Sequence, residues 1–211
     1  MFPFARGATD RWPVQLPLFP LHTVLYPGGL LPLRIFEQRY VEMAKACLKD
    51  GHPFGVCLIT RGDEVAKGGA AAPEFAAVGT LATISAWDMP QLGILQVTST
   101  GSERFEVRSH AVRADGLVVA EVAPIPAEPA LALSAAHAPL ARFLELLANR
   151  IGPQHFAAPR AFADASWVGY RLAELLPLPL SIKQSMLEIN DAEVRLEALR
   201  KFLAQQGLVQ A

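Results

Sequence analysis

Charge of one sign is what this 211-residue sequence most lacks, since 19 Lys and Arg stand against 20 Asp and Glu, for a net charge of -1. Before residue 126 there are 11 basic and 12 acidic residues, and after it 8 of each. Neither part carries the excess that sequence-independent nucleic-acid binding needs. Cysteine is scarce as well. Cys47 and Cys57 are the only two, and an oxidised framework normally uses more, so both read as buried free thiols. Long unbroken apolar runs are missing despite 52% hydrophobic residues and a mean hydropathy of +0.26. The best candidate, Leu117 to Leu140, is interrupted by Glu121, Glu128 and several prolines and cannot cross a bilayer as a helix. Met1 to Pro13 contains Arg6, Asp10 and Arg11 and no apolar signal core, so the expected location is the cytoplasm. Catalytic and metal signatures are absent too. None of the five histidines stands three or four residues from another histidine or a cysteine, and H-E-x-x-H, C-x-x-C and G-x-x-x-x-G-K-[ST] do not occur. No metal, cofactor or catalytic residue is therefore expected, and ATP binding through a phosphate loop is excluded.

What is present divides into a strand-rich part and a helical part. Leu16 to Phe19 and Thr23 to Leu25 read as short strands among prolines, Pro27-Gly28-Gly29 as a turn, and Leu31 to Ile35 as a strand. A helix opens at Phe36-Glu37 and runs to about Lys49, with Tyr40, Ala44, Cys47 and Leu48 on one face and Gly51 as its C-terminal cap. Phe54 to Thr60 reads as a strand buried on both faces. A Gly- and Ala-rich loop, Arg61 to Phe75, follows. Val78 to Trp87, Gly93 to Thr100, Arg104 to Val112 and Leu117 to Ile125 then read as an antiparallel meander. Turns are expected at 88–92, at Gly101-Ser102 and, in type I′ form, at Asp115-Gly116. Closing that meander against the first strands would remove its open edges.

Three prolines between Pro124 and Pro129 mark a linker. Helices are expected over Pro139 to Ile151, Ala165 to Leu176 with Asp164 as N-cap, Ile182 to Ile189 with Ser181 and Gln184 as a capping box, and Ala192 to Gln205 capped by Asp191. In the last of these, Leu196, Leu199, Phe202 and Leu203 make one apolar stripe.

The run from Leu16 to Tyr40, LPLFPLHTVLYPGGLLPLRIFEQRY, resembles the opening signature of the Lon protease N-terminal domain family. Val78 to Ile84 (VGTLATI) is similar to the family's VGT strand, and Gly101 to Val107 (GSERFEV) to its RF strand. Arg171 to Leu180, Lys183-Gln184, Leu187-Glu188 and Asp191 to Leu196 are similar to its helical motifs. The resemblance covers about Leu16 to Phe202 and implies an α+β fold. This would be a PUA-like β pseudobarrel (14–126) with a helix inserted after its first strands, followed by a C-terminal helical bundle (130–207). It also implies a substrate-recognition and oligomer-contact role. The family's ATPase and Ser-Lys protease domains have no counterpart in these residues.

Among the motif residues, Pro27, Gly28, Pro32 and Gly79 have backbone readings. Arg34, Arg39 and Arg104 read as arginines that satisfy carbonyls or a carboxylate, with Glu37 or Glu106 as partners, or else contact a ligand. Ser181 and Lys183 could be read as a Ser-Lys pair, but the capping role suits Ser181 better. Trp87, Met89 and Leu92, around a hairpin tip, with Phe36, Arg39 and Tyr40 at the strand-to-helix junction, are the candidate partner-binding residues against a reading as core. The function expected is non-catalytic recognition of unfolded or hydrophobic protein segments, or docking on a protease or other protein, with self-association left open and no nucleic-acid or membrane partner. The alternative is an RNA-binding PUA-like domain. An enzyme acting in the barrel-bundle crevice is disfavoured, because no nucleophile is paired with an orienting group.

Overall fold

In the computed structural model, which describes residues 15–64 and 72–209, all strands precede the last four α-helices. The strands are β1 (Leu16–Leu21), β2 (Leu30–Ile35), β3 (Phe54–Arg61), β4 (Glu74–Gln91), β5 (Ile94–Val112) and β6 (Val118–Pro124), with helix α1 (Gln38–Asp50) between β2 and β3. Helices α2 (Ala138–Ile151), α3 (Ala165–Leu175), α4 (Leu180–Glu188) and α5 (Ala192–Gln205) follow. Strand order is β2-β5-β4-β3-β1-β6, and β6 pairs back onto β5. Strands β1, β3, β4, β5 and β6 thus close a ring, the pseudobarrel that the family resemblance implies. β2 lies outside it, on the first half of β5.

β1 is buried along its whole length yet contains Pro17 and Pro20. Each proline falls where only one side of the strand is paired. β6 covers Leu16 to Leu18 and β3 covers Leu18 to Leu21, so each proline has one flank with no ladder to disrupt. β1 and β3 run parallel, which requires a crossover, and α1 lies within it. Its inner face, Tyr40, Val41, Met43, Ala44 and Cys47, packs with Phe19, Ile35, Phe54, Leu95 and Val97.

Several sequence expectations need correction. Thr23 to Leu25 is irregular rather than a strand. Val24 and Leu25 are apolar because they are buried, and the Leu25 carbonyl accepts 2.6 Å from the Thr80 hydroxyl instead of joining a ladder. Gly101-Ser102 is not a turn but a bulge within the 19-residue β5. There Gly28 N–H donates to the Gly101 carbonyl and Gly101 N–H to the Gly29 carbonyl, at 2.8 and 2.9 Å. A Cβ at Gly101 would meet the Tyr26 carbonyl oxygen at 2.3 Å. Residues 88–91 belong to β4, and the hairpin turns at Leu92-Gly93. The Asp115-Gly116 turn is a hairpin loop but not type I′, since only Gly116 has positive φ (83°). Gly116 N–H donates to the Arg113 carbonyl and Arg113 N–H to the Leu117 carbonyl, so one left-handed residue suffices.

The helices fall close to where their patterns put them. Asp164 accepts from Trp167 N–H at 2.7 Å, and Asp191 from the Glu193 and Val194 N–H groups. The capping box at Ser181 does not form. α4 begins at Leu180 after Pro179, Ser181 lies inside it, and Gln184 donates 3.0 Å to the Val78 carbonyl of β4. The α5 stripe, with Leu196, Leu199 and Leu203 fully buried, packs on α3 in a core that also takes Val24, Tyr26 and Leu58 from the strand-rich part. One apolar core therefore spans both parts. No helix among the described residues is long and apolar enough to cross a membrane. Met1 to Pro13 and the Gly68 to Ala71 centre of the Gly-Ala loop lie outside the described residues.

Candidate functional site

The second half of β4, the first half of β5 and β2 form a three-stranded arm. Its register sets Leu33, Val97 and Trp87 in one row and Arg34, Gln96 and Asp88 in the next. Residues opposite one another share a face and successive rows alternate. Val97 and Leu33 turn toward the α1 core, while Trp87, at the far end of their row, is 59% exposed. Leu92 at the tip is 93% exposed, Met89 39% and Phe36 55%. Phe36 follows Ile35, whose partner Leu95 lies two residues past the Leu92-Gly93 tip. A groove of about 440 Å³ runs over the arm, lined by residues 32–34, 86–88 and 96–98. It is a shallow apolar surface with one basic and one acidic lip, Arg34 and Asp88.

Tyr40 does not belong to this surface. It is 2% exposed and stacked on Phe19 with ring centroids 3.9 Å apart. Burial raises its phenol to about 12. Arg39 lies over the Tyr40 ring, pairs with Glu37 at 2.9 Å and donates 2.8 Å to the Gly116 carbonyl, so it braces α1 against the β5-β6 turn. The sequence reading of Tyr40 as a contact residue fails because position i of an amphipathic stripe faces inward. The core reading of Trp87, Met89 and Leu92 fails because their half of β4 is paired only to β5.

The junction between barrel and bundle holds a second cluster. Arg104, on β5, donates 2.8 Å to the Leu187 carbonyl and 3.0 Å to the Ile189 carbonyl, and also bonds Asn190. Its carboxylate neighbour is Glu128, at 3.6 Å, not Glu106, which pairs with Arg108. Glu128 stands on the proline-rich connection. It accepts from Ser166 and Tyr170 hydroxyls at 2.6 Å each and from both terminal nitrogens of Arg195. Arg195 also lies 3.9 Å over the Tyr170 ring. Burial alone would raise the Glu128 carboxyl, but bonds from Arg195, Ser166 and Tyr170 outweigh it and hold the group below the ordinary value. The same surroundings raise the Tyr170 phenol, chiefly by burial.

A neighbouring group ties Pro27 to the bundle. Arg171 donates 3.1 Å to the Pro27 carbonyl and pairs with Glu174 at 3.0 Å, and Lys183 donates 2.7 Å to the Glu174 carbonyl. Lys183 is thus directed away from any Ser181 partnership. Gly79 sits at a close approach of strands in the barrel, and a Cβ there would lie 2.5 Å from the Val56 carbonyl oxygen and 2.6 Å from the Phe105 ring. Among the described residues no group of three or more His, Cys, Asp or Glu could hold a metal.

Comparison with known proteins now places this architecture. The family model of the ATP-dependent protease La (LON) substrate-binding domain matches residues 15–205. The chain belongs to this family. Within the Lon relatives, a Lon protease of Phenylobacterium zucineum is 27% identical over 96% of this chain. One of Anaeromyxobacter dehalogenans is 34% identical over 34% of it. The chain spans 26% of the length of the first of these proteases. Among solved structures, the Lon N-terminal domain protein from Xanthomonas campestris has a TM-score of 0.70 and 38% identity, covering 89% of this chain and 97% of that one. The N-terminal domain of a Mycobacterium avium complex Lon protease, 18% identical with a TM-score of 0.54, covers 90% and 98% and shares the fold.

Within this Lon domain, the motif residues Pro27, Gly28, Gly79 and Arg104 gather at the barrel's closure and at its seam with the bundle. Pro32 and Arg34 are exposed on the arm. Sequence reading missed Glu128, Tyr170, Arg171 and Arg195. For the three charged residues the signal was a charge inside an apolar helical face or a proline-rich linker, and Arg171 lies between buried Tyr170 and Leu172.

Proposed function

We propose that this Lon substrate-binding domain is a non-catalytic recognition module that holds exposed apolar segments of other polypeptides on its arm. The observation that carries this reading is the cluster of exposed Phe36, Trp87, Met89 and Leu92 around one hairpin tip. Strand edges are normally blunted by charge, and an apolar concentration of this kind marks an interaction surface. Burying one such side chain contributes roughly 1.5–3 kcal/mol, so two or three contacts suffice for weak, adaptable binding. Arg34 and Asp88 on the groove lips give room for either charge in the bound segment. The barrel part, 14–126, presents the arm, and the helical part, 130–207, packs on the barrel. The partner is an unfolded or hydrophobic protein segment, and a separate protease or other protein is the partner that would receive it. With two buried free thiols, the chain suits the reducing cytoplasm.

The test is fluorescence anisotropy of the protein against a labelled unfolded polypeptide and a labelled single-stranded RNA, each at low and high salt. Saturable polypeptide binding that survives salt and weakens in Met89→Asp or Leu92→Asp supports the reading, because apolar burial is not screened. Binding to RNA alone, lost as salt rises, overturns it.

A further inference from the structure

The bonds that converge on Glu128 are those a protein uses to capture a carboxylate from solution. A bidentate arginine fork, a second arginine and two hydroxyls surround one carboxyl group. Here the group captured belongs to the chain itself. It is carried in on the proline-rich strap, and both arginines are almost wholly buried. Three of the four partners, Arg104, Ser166 and Tyr170, also line an open crevice of about 440 Å³. Strap residues 124–130 form one wall, Pro27 and residues 102–104 the other. Apart from the residues around Glu128, the walls are mainly proline, alanine and isoleucine. Asp164 and Glu103 sit at the rim, the first engaged on Trp167 N–H and the second exposed.

We propose that this crevice is a carboxylate receptor in which Glu128 is the resident intramolecular ligand, and that an apolar carboxylate enters by displacing it. The acid group replaces Glu128 between Arg104, Arg195, Tyr170 and Ser166, and the apolar body lies against the proline-lined wall. Two sources share that chemistry, a free small apolar acid and the C-terminal carboxylate of a polypeptide ending in an apolar residue. The volume falls in the range of pockets that take small ligands, roughly 300–1,000 Å³. A tethered competitor acts at millimolar effective concentration, so the receptor binds weakly until the strap is released and more tightly when the resident carboxylate is removed. The second source would extend the recognition role proposed above, while the receptor itself stands independently of the arm.

The experiment compares the wild type with Glu128→Ala by thermal unfolding in the presence of sodium hexanoate, hexanamide or sodium chloride at matched ionic strength. A ligand that binds only the folded state raises the melting temperature once its concentration passes Kd, and the rise continues logarithmically, so its onset reports Kd. The expected result is that hexanoate alone rescues Glu128→Ala, with an onset at a concentration at least about tenfold lower than for the wild type. Equal effects of hexanoate and hexanamide, or equal onsets in the two proteins, overturn the proposal. Should Glu128→Ala fail to fold, amide resonances of the wild type serve instead. Hexanoate must then shift residues 102–104 and 127–130, and their silence overturns the proposal. A short peptide ending in leucine, as free acid and as amide, separates the two sources. Preference for the free acid assigns the polypeptide terminus, and equal indifference to both peptides with hexanoate still bound assigns the small acid. The hexanoate readouts report the crevice and not the arm, so failure here is distinct from failure of client binding.

Discussion

Arg104 Nη1 lies 2.8 Å from the Leu187 carbonyl oxygen, so a strand of the barrel caps the C-terminal end of α4 in the bundle. The same guanidinium reaches Ile189, Asn190 and Glu128, and its planar fork serves all four at once in a way an ammonium cannot. Arg104→Met is expected to cost about 3 kcal/mol or more, because it strips donors from buried carbonyls and leaves the Glu128 charge with one arginine. Arg104→Lys should recover less than half of that. Urea unfolding of the three proteins measures both, and a loss under 1 kcal/mol in Arg104→Met would show that the seam does not depend on this residue.

Much of this architecture was legible in the sequence because it rests on local signals. Apolar spacing gave α1 and α5, and Asp164 and Asp191 gave two helix starts through their own side chains. Long-range relations were not legible. Gly101 reads as a turn residue but serves a bulge whose demand comes from Tyr26 and Gly28 across the chain. Ser181 and Gln184 have the spacing of a capping box, yet Gln184 is taken by the Val78 carbonyl 106 positions away. Arg104 has Glu106 two positions away in sequence, but the carboxylate that lies against it and shares its burial is Glu128. The arm's residues were found as a hairpin tip. Whether they faced core or solvent depended on β3 ending its pairing with β4 at Ala82, which no local pattern records.

Tyr40 and Leu92 separate packing from surface. Tyr40→Ala should destabilise the fold by about 3–5 kcal/mol, since it empties a buried site stacked on Phe19. Leu92→Asp should change stability by no more than about 0.5 kcal/mol, while binding to the unfolded polypeptide weakens several-fold. Chemical denaturation and anisotropy on the same two variants check the contrast. A Leu92→Asp protein that melts like Tyr40→Ala would mean that the tip is packed.

Gly79→Ala tests the barrel's closure. Its Cβ would meet the Val56 carbonyl at 2.5 Å, which cannot retreat within a paired strand, and the Phe105 ring and Cys57 sulfur at 2.6 and 2.7 Å. A cost of about 1–3 kcal/mol is expected from overpacking. Gly55→Ala, which meets side-chain carbons of Leu18 and Phe105 instead, should be the milder of the two, and thermal melts rank them.

Cys47 and Cys57 should be nearly silent toward thiol reagents in the native protein. Both are buried, and desolvation raises each thiol to about 12, so almost no thiolate is present at pH 8. A thiol-exchange assay should report less than one reactive group natively and two in denaturant. Rapid native labelling of either would show an opening motion of the strand or helix that carries it.

The Glu128 carboxylate also sets how the fold meets acid. Its pKa is lower in the folded chain than the ordinary 4.5, so below that ordinary value the unfolded state binds the proton first. The stability it contributes is complete above about pH 4.5 and is lost as pH falls through the depressed folded value. Glu174 acts with opposite sign, because burial raises its carboxyl, so its protonation favours the folded state as pH falls. Glu128→Gln should therefore lower stability at pH 7 and flatten the decline below pH 4.5, while Glu174→Gln should remove a gain in stability that the wild type makes as pH falls toward 4.5 and leave the limb below that unchanged. Urea midpoints measured from pH 7 to pH 3 on the three proteins give the slopes. An acid limb in Glu128→Gln parallel to the wild type would mean that the two arginines, rather than the carboxylate they hold, control the seam.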